Sequence, residues 1–210
     1  MPVRNIAVFA SGGGTNFQAI IDGVARGEIP GRIVCLIYNR KAAFAAERAA
    51  AAGIPAIYIN RKALGDEEFQ RRIHDELTAR AADAVVLAGW LEILGEKTVR
   101  DFRGRIINTH PALLPAYGGR GMYGHNVHEA VLAAGEMRSG CTVHFVEEGV
   151  DTGPIILQQA VDVLPGDTAE TLAARILPHE HRLLVEATKL LCEGRIRVEG
   201  SKVRIAPPGI

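Results

Sequence analysis

Short apolar segments alternate with longer helical segments through the first half of the chain. The apolar runs lie at residues 6–10, 33–38, 56–59 and 84–88, and segments with helical spacing lie at residues 15–26, 42–52 and 67–80. Continuous apolar runs are typical of parallel strands that are covered on both faces. Repeated β-α-β order puts the covering helices on both faces of one sheet. The alternation therefore predicts an α/β fold with a doubly wound, mostly parallel sheet.

This alternation changes after residue 105. A short strand is predicted at residues 105–108, and a Pro/Gly-rich loop follows at residues 111–124. Strands at 141–146 and 154–160, a helix at 169–191 and a hairpin at 195–198 and 203–205 complete the pattern, so we expect an antiparallel C-terminal portion. Because no repeat, low-complexity tract or Pro/Ser-rich linker interrupts the chain, we expect a single domain over residues 1–210.

The charge balance and the cysteines limit the classes of partner. The chain has 24 Lys+Arg, 24 Asp+Glu and three widely spaced cysteines. Zero net charge is unlike a nucleic-acid or membrane-surface binder, and scattered cysteines favour a reducing compartment. The apolar run near the N-terminus is shorter than the roughly 7–15 residues of a secretory signal, and no run reaches the roughly 18 of a membrane span. We therefore expect a cytoplasmic protein with small-molecule ligands, no nucleic acid and no membrane.

A glycine-rich segment, SGGGTN at residues 11–16, lies between the first predicted strand and the first predicted helix. Glycines let a ligand approach the backbone closely, and the free amides at a helix start attract an anion. A dinucleotide fingerprint is incomplete because Phe17 occupies the position of its third glycine. We therefore favour a single phosphate on the amides of Gly14, Thr15 and Asn16.

Two alternatives to the phosphate site remain open. The segment can be a plain strand-to-helix turn in which Thr15 is the N-cap. It can also bind NADP, because the second predicted strand is followed by Arg40, which suits a 2′-phosphate, and has no acidic residue for a ribose hydroxyl.

Polar residues follow two of the later strands. Asn108 and His110 are two apart in an extended segment, so their side chains project to the same side, at an edge where α/β sheets bind ligands. An amide donor beside an imidazole suits a developing oxyanion. Asp151, in the turn 147–153, is a candidate to orient the imidazole. The alternatives are that His110 and Asn108 only complete the strand end and that Asp151 forms an Asx turn.

The other histidines do not form a metal motif. His125 and His128 are three apart and His179 and His181 are two apart, but neither pair has a clear third ligand. We therefore expect no metal. His144 alternates with apolar residues, which predicts a buried, hydrogen-bonded histidine that supports the site.

Five motifs occur in one order along the chain. They are SGGGTN at residues 11–16, AGWLEIL at 88–94, INTHPALLP at 107–115, TVHFVEEGVDTGPII at 142–156 and HEH at 179–181. Together they resemble the phosphoribosylglycinamide formyltransferases, a folate-dependent formyltransferase family of purine biosynthesis, over residues 4–193. The resemblance implies a Rossmann-like formyltransferase fold, with a phosphate-binding half at 1–105 and a catalytic and folate-binding half at 106–193.

The resemblance also implies the reaction. A formyl group passes from 10-formyltetrahydrofolate, the co-substrate, to the amine of 5-phosphoribosylglycinamide in the biosynthesis of IMP, without a metal or nicotinamide cofactor. His110 is then the general acid, Asn108 holds the oxyanion, and Asp151 keeps the imidazole protonated and oriented. The implied ribonucleotide-binding residues are Gly14, Thr15, Asn16, Leu177, Pro178, His179 and Glu180. The implied folate-binding residues are Leu91, Glu92, Ile93, Leu94, Asn108, Glu147, Glu148, Gly149, Val150 and Asp151.

Several features depart from the family pattern. Glu92 stands where many members have a basic residue, and the segment 65–67, with Asp66, lacks an expected arginine; both concern the folate tail. The loop at residues 116–128 is longer than expected and is either a lid over the ribonucleotide or a surface excursion.

Three other functions are the alternatives. They are a methionyl-tRNA formyltransferase, a formyltetrahydrofolate hydrolase and a non-catalytic NADP-binding module. We expect neither the C-terminal barrel of the first nor the N-terminal regulatory domain of the second in 210 residues. The resemblance leaves a monomer or a homodimer open.

Overall fold

A seven-stranded sheet lies at the centre of the structure, a computed structural model that describes residues 5–200 and 202–207. Its strands are β1 (Asn5–Ala10), β2 (Arg32–Tyr38), β3 (Ala56–Tyr58), β4 (Ala84–Leu87), β5 (Ile106–His110), β6 (Arg138–Phe145) and β7 (Ile155–Asp162). The helices are α1 (Thr15–Ala25), α2 (Ala45–Ala51), α3 (Arg61–Leu64), α4 (Asp66–Ala79), α5 (Glu96–Asp101), α6 (His125–Ala133) and α7 (Ala169–Cys192). A separate hairpin consists of β8 (Ile196–Glu199) and β9 (Lys202–Ile205).

The strands lie across the sheet in the order β3, β2, β1, β4, β5, β6, β7. The first five in that order run parallel, whereas β6 is antiparallel to both β5 and β7. This confirms the predicted doubly wound fold and its antiparallel C-terminal portion. The direction of winding reverses between β1 and β4, and ligands of open α/β sheets bind at such a switch point, outside the carboxyl ends of the strands.

The observed elements differ from the predicted ones mainly at their ends. Strand β5 extends through His110, so this histidine is the last residue of a strand rather than part of the loop after it. Strand β6 begins at Arg138, three residues before its predicted start at residue 141. The predicted elements include no helix at α3, α5 or α6. Helices α3 and α5, with four and six residues, are too short to show helical periodicity.

Two apolar layers cover the sheet, and alternate residues of each strand belong to opposite layers. On one side, which we call the α7 face, Ile107 packs in a cluster with residues of α1, α2, α6 and α7. On the other side, which we call the α4 face, Ile106 packs with residues of α4 and α5. Because side chains alternate along a strand, Asn108 and His110 belong to the α4 face and Thr109 belongs to the α7 face.

The remaining sequence-based expectations concern the termini, the cysteines and membranes. Residues 1–4, which bear on the predicted absence of a secretory signal, lie outside the described residues, as do residues 201 and 208–210 of the predicted domain. Cys35, Cys141 and Cys192 are buried and free, and burial raises the pKa of the Cys35 thiol to about 11. Within the described part of the chain, no helix is long and apolar enough to cross a membrane.

Candidate active site

A cavity of about 450 Å³ opens at the carboxyl ends of β4 and β5. That volume is within the range of about 300–1,000 Å³ that is usual for small-molecule sites. The predicted site residues that line it are Asn16, Leu91, Glu92, Ile93, Leu94, Asn108, His110, Glu147, Glu148, Gly149, Val150, Asp151 and Glu180. Gly14, Thr15, Leu177 and His179 lie outside its lining, and Pro178 lines a separate surface depression.

The glycine segment ends in a helix that begins without a side-chain cap. Gly14 is the N-cap of α1 with φ of 70°, and Thr15 is the first helical residue, so the alternative in which Thr15 is the N-cap is wrong. A Cβ atom at Gly14 would lie 2.7 Å from the Cβ of Ala45, so close packing of α2 requires glycine there. Cβ atoms at Gly12 or Gly13 would meet no atom of the described residues within 4 Å, which leaves the approach to the start of α1 open.

Ser11 connects this segment to the loop after β4. Its amide donates a hydrogen bond to the Gly89 carbonyl at 3.0 Å, and its hydroxyl accepts one from the Leu91 amide at 3.0 Å. These two bonds hold the glycine segment and residues 88–94 together at the switch point. The predicted phosphate segment and the predicted folate segment are thus parts of one site.

Asn108 is oriented by His144 on the neighbouring strand. The Nδ1 of His144 lies 2.8 Å from the Phe145 carbonyl oxygen, which can only accept, so Nδ1 carries the hydrogen. Its Nε2 lies 3.2 Å from the Asn108 Nδ2 and 3.6 Å from the Asp151 Oδ1, so His144 contacts two members of the predicted trio. One amide hydrogen of Asn108 remains for a ligand, and the predicted supporting role of His144 is confirmed.

His110 and Asp151 contact each other in the wall of the cavity. The His110 Nδ1 lies 3.5 Å from the Asp151 Oδ2, and its Nε2 lies 2.8 Å from the Tyr117 carbonyl oxygen, to which it donates. Asp151, with φ of 57°, accepts a hydrogen bond from the Gly119 amide at 3.1 Å. Because this bond comes from a distant loop, the aspartate does more than close its own turn, as an Asx turn would. The structure therefore brings the predicted trio together.

Burial controls the protonation of the imidazole. It lowers the pKa of His110, and the Asp151 charge and the Tyr117 carbonyl, which act in the opposite direction, do not outweigh it. For Asp151, burial alone would raise the pKa, but contacts with His144, His110 and the Gly119 amide hold it below its ordinary value. Burial therefore favours the neutral imidazole, whereas the resemblance implies that Asp151 keeps it protonated; that role of Asp151 stays a prediction.

Asn16 and Glu180 form a second polar pair in the cavity. The Asn16 Nδ2 donates to the Glu180 Oε2 at 3.0 Å, and both side chains are buried. Burial raises the pKa of Glu180, and the hydrogen bond from Asn16 offsets this only in part. The pair joins the start of α1 to the middle of α7, so the HEH motif meets the glycine segment in space.

The long loop forms part of the cavity wall. The Tyr117 carbonyl and the Gly119 amide contact the His110 and Asp151 side chains, and residues 119–125 line the cavity. The loop is therefore not the surface excursion that was one alternative. Its movement as a lid stays a prediction.

Two of the departures from the family pattern, Glu92 and Asp66, lie together at the edge of the site. The Glu92 carboxylate, which lines the cavity, pairs with the Arg61 guanidinium at 3.2 Å. Asp66 pairs with the same guanidinium at 2.8 Å. Two carboxylates share one arginine, so the cluster is acidic overall.

Several lining residues were missed by the sequence analysis, chiefly Trp90, Thr109 and His128. Trp90 is the single tryptophan of the chain and stacks on Phe69 with ring centroids 6.3 Å apart. The alternation of side chains along a strand could have placed Thr109, because it predicts that this residue faces the opposite side of the sheet from Asn108 and His110. Among the described residues, no group of three or more His, Cys, Asp or Glu is placed to hold a metal ion.

Comparisons with known proteins agree with this geometry. The model of the formyl transferase family matches residues 4–188. The chloroplastic phosphoribosylglycinamide formyltransferase of Arabidopsis thaliana is 44% identical over 92% of this chain and 67% of its own length. The phosphoribosylglycinamide formyltransferase of Haemophilus influenzae is 39% identical over 94% of this chain and 91% of its own length.

A solved structure gives the same result. Glycinamide ribonucleotide transformylase 1 from Symbiobacterium toebii superposes with a TM-score of 0.92 at 44% identity, over 98% of this chain and 95% of that protein. The chain belongs to the formyl transferase family, among the phosphoribosylglycinamide formyltransferases.

Proposed function

We propose that this chain transfers the formyl group of 10-formyltetrahydrofolate to the amine of 5-phosphoribosylglycinamide, a step of IMP biosynthesis. The products are formylglycinamide ribonucleotide and tetrahydrofolate. The observation that carries the proposal is the convergence of Asn108, His110 and Asp151 in one cavity at the switch point of the sheet. The names of the Arabidopsis and Haemophilus relatives support the choice of substrates.

The two walls of the cavity suit the two substrates. We place the phosphate on the open amides of Gly14, Thr15 and Asn16, with Glu180 beside the rest of the ribonucleotide. We place the pterin against residues 91–94 and the turn 147–151. Within the predicted segment 177–180, Glu180 lines the cavity. Leu177, Pro178 and His179 lie outside that lining, as Gly14 and Thr15 do, and their contacts with the ribonucleotide stay predictions. The proposed ribonucleotide site and the proposed pterin site each contain residues from the two predicted halves, 1–105 and 106–193.

The reaction needs a proton to move from one nitrogen to another. The amine attacks the formyl carbon, and the carbonyl oxygen becomes an oxyanion that the free Asn108 amide hydrogen stabilises. The neutral His110 accepts the proton that the amine loses, because burial keeps it deprotonated beforehand. The imidazolium, now beside Asp151, gives that proton to the folate nitrogen as the carbon–nitrogen bond breaks.

Compartment and assembly belong to the same proposal. We propose a cytoplasmic enzyme, supported by three buried free cysteines, that acts on small molecules and not on nucleic acid, supported by zero net charge. It is a monomer or a homodimer. Light scattering of the purified chain at several concentrations distinguishes these two states.

One assay tests the reaction against its alternatives. The protein is incubated with 10-formyltetrahydrofolate with and without 5-phosphoribosylglycinamide, and tetrahydrofolate release and formylated product are measured. Release that requires the ribonucleotide is the expected result. Release without it would instead indicate a hydrolase, and NADP binding without release would indicate a nucleotide-binding module.

A further inference from the structure

Arg120 is the one lysine or arginine among the described residues that line the cavity. The same lining has five carboxylates, those of Glu92, Glu147, Glu148, Asp151 and Glu180. Arg120 is exposed and makes no hydrogen bond or ion pair with a described residue. Because carboxylates repel an anionic ligand, the Arg120 guanidinium is the group of this lining that attracts one through a full positive charge.

A tight turn presents Arg120 to the cavity. The Met122 amide donates a hydrogen bond to the Gly119 carbonyl at 3.1 Å, so Arg120 is the second residue of a four-residue turn. Gly121, the third residue, has φ of 85°, which a type II turn requires there and which glycine adopts without strain. The Asn126 side chain, in the first turn of α6, donates to the Gly121 carbonyl at 3.1 Å. These contacts hold the backbone on which Arg120 is mounted.

The residues just before Arg120 contact both members of the proton-transfer pair. The Tyr117 carbonyl accepts from the His110 Nε2 at 2.8 Å, and the Gly119 amide donates to the Asp151 Oδ2 at 3.1 Å. Tyr117 has φ of 56°, a left-handed conformation that costs free energy for a residue with a side chain and persists only where the surroundings hold it. Because Gly119 is the direct neighbour of Arg120, a ligand that fixes Arg120 also helps to fix these two backbone contacts.

Phosphate is the anion that best fits this arrangement. A guanidinium binds phosphate with two parallel hydrogen bonds, and the ribonucleotide of the proposed function carries one phosphate. Asn16, at the start of α1, lines the same cavity as Arg120, so one ligand can contact both. The loop that carries Arg120 ends at His125, whose Nδ1 lies 4.0 Å from the Glu170 Oε1 of α7, the helix that carries Glu180. The loop thus reaches the side of the cavity where the ribonucleotide is placed. The tail carboxylates of the folate donor are the other anions of the reaction.

We propose that Arg120 binds the phosphate of the ribonucleotide and that this contact holds residues 117–119 against His110 and Asp151, so that the phosphate raises turnover as well as affinity. This inference rests on the proposed function and adds Arg120 to it as a residue that binds substrate. Binding energy from a group remote from the reacting atoms can order the catalytic groups, and a substrate without that group then loses kcat and not only affinity.

Substitution of Arg120 tests the phosphate contact. Arg120→Met keeps much of the side-chain length and removes the charge, so kcat/KM for the ribonucleotide should fall by about 10–100-fold, as expected for a lost charged hydrogen bond, and kcat itself by at least about threefold. Arg120→Lys keeps the charge but not the planar fork of donors and should recover part of the loss. Arg138→Met is the matched control, because Arg138 is an exposed arginine outside the cavity lining, and its kinetics should equal those of the parent.

A substrate without the phosphate tests the link to turnover. With glycinamide ribonucleoside in place of the ribonucleotide, the parent should have a lower kcat, and added inorganic phosphate should raise it. On this ribonucleoside the difference between Arg120→Met and the parent should shrink to less than about threefold, because the contact is missing in both. Added phosphate should activate Arg120→Met far less than the parent.

Stability gives a second, independent measurement. Without substrates, Arg120→Met should melt at the same temperature as the parent, because Arg120 has no partner among the described residues. The rise in Tm on adding ribonucleotide should be smaller in the variant. A purely structural role of Arg120 predicts the reverse, a lower Tm without substrates and equal losses of activity on the ribonucleotide and the ribonucleoside.

The outcomes separate this inference from the function on which it rests. If the parent shows no ribonucleotide-dependent transfer, both are overturned. If the parent is active and Arg120→Met keeps kcat/KM for the ribonucleotide within about threefold, the inference is overturned and the function stands. A loss confined to KM for 10-formyltetrahydrofolate, which disappears with a donor that lacks the glutamyl tail, also overturns it and assigns Arg120 to the tail carboxylates. A higher ribonucleotide KM with unchanged kcat overturns the link to turnover.

Discussion

The two walls of the cavity differ in how many buried polar atoms lack a hydrogen-bond partner among the described residues. The α7 face has three, the Oδ1 of Asn16, the Oγ1 of Thr109 and the Nδ1 of His128, whereas the α4 face has one, the Nε1 of Trp90. The wall on the α4 face is built from apolar side chains that also belong to the core, among them Leu87, Trp90, Leu94 and Val99. The wall on the α7 face carries Asn16, Thr109, His128 and Glu180, which are buried and polar. The first suits a flat, largely apolar ring system, and the second suits a sugar phosphate.

This difference has a consequence for stability. Apolar side chains on the α4 face stabilise the fold whether or not a ligand is bound. Unpaired polar atoms on the α7 face cost free energy until a ligand satisfies them. We therefore expect apolar substitutions on the α7 face to impair binding while they preserve stability. Truncations on the α4 face should impair both.

The largest effect on turnover should come from substitutions of His110, at the end of β5, and of Asp151, in the turn 147–153. His110→Ala and Asp151→Asn remove the groups that move the proton, and kcat should fall by about 10²–10⁴-fold, as is typical for general acid–base catalysis. Asparagine at 151 avoids added strain, because this residue tolerates the left-handed φ of 57° there. Ribonucleotide affinity should stay within about threefold of the parent, since its proposed contacts are on the α7 face. Steady-state kinetics and calorimetric titration measure the two quantities.

His74→Ala is the matched control for the histidine substitution. His74 lies on α4 and contacts Asp101 at 3.0 Å, outside the cavity lining. Its turnover should equal that of the parent. Turnover of either His110→Ala or Asp151→Asn within tenfold of the parent would contradict the proposed roles.

Substitutions of Gly14 and Gly13 should have the next largest effects, on stability and on ribonucleotide binding respectively. Gly14→Ala creates a contact of 2.7 Å with Ala45 at a φ of 70°, so unfolding free energy should fall by about 1–3 kcal/mol. Gly13→Ala meets no atom of the described residues within 4 Å and should leave stability nearly unchanged. If the phosphate approaches this segment, Gly13→Ala should still raise the ribonucleotide KM, and urea denaturation with kinetics would separate the two effects.

Most of the fold was predictable from patterns that belong to single segments. The continuous apolar runs give parallel strands such as β4, and the change after residue 105 gives the antiparallel strands β6 and β7. Strand ends were less predictable, because β6 begins at Arg138 through pairing with Asp162, a long-range contact. The short α5 depends on packing of Val99 in the core rather than on its own periodicity.

The candidate site was predictable where residues share a strand or a motif. The same-side placement of Asn108 and His110 follows from alternation, and the observed bond to His144 agrees with it. The Asn16–Glu180 hydrogen bond joins residues 164 positions apart, so no local pattern contains it. The effect of burial on His110, which lowers its pKa, was not predictable from the sequence because it depends on the folded surroundings.

The pH dependence of the reaction tests the role of His110, the last residue of β5. Burial holds the pKa of His110 below its ordinary 6.5, and the neutral form is the one that accepts the proton of the amine. With both substrates saturating, kcat should therefore stay constant as pH falls toward 6.5 and decrease only at lower pH, as the imidazole becomes protonated, whereas kcat/KM also falls as the substrate amine is protonated. In Asp151→Asn the pKa of His110 should fall further, because the carboxylate charge that raises it is gone. An NMR titration of the imidazole checks both directions, and a pKa above 6.5 in the parent would contradict the first.

The smallest expected effect concerns the edge of the apolar wall, where Glu92 interrupts an otherwise apolar segment. If the glutamyl tail of the donor passes Glu92, its carboxylates are repelled there. Glu92→Gln should then lower KM for a polyglutamyl donor by about 2–5-fold at low ionic strength and not at high. Asp66→Asn is the matched control, because Asp66 pairs with the same Arg61 but does not line the cavity. Loss of the exposed Glu92 pair should change unfolding free energy by less than about 1 kcal/mol. An equal decrease of KM in both variants, or one that persists at high salt, would show that the tail does not approach Glu92 and that the apolar wall ends before it.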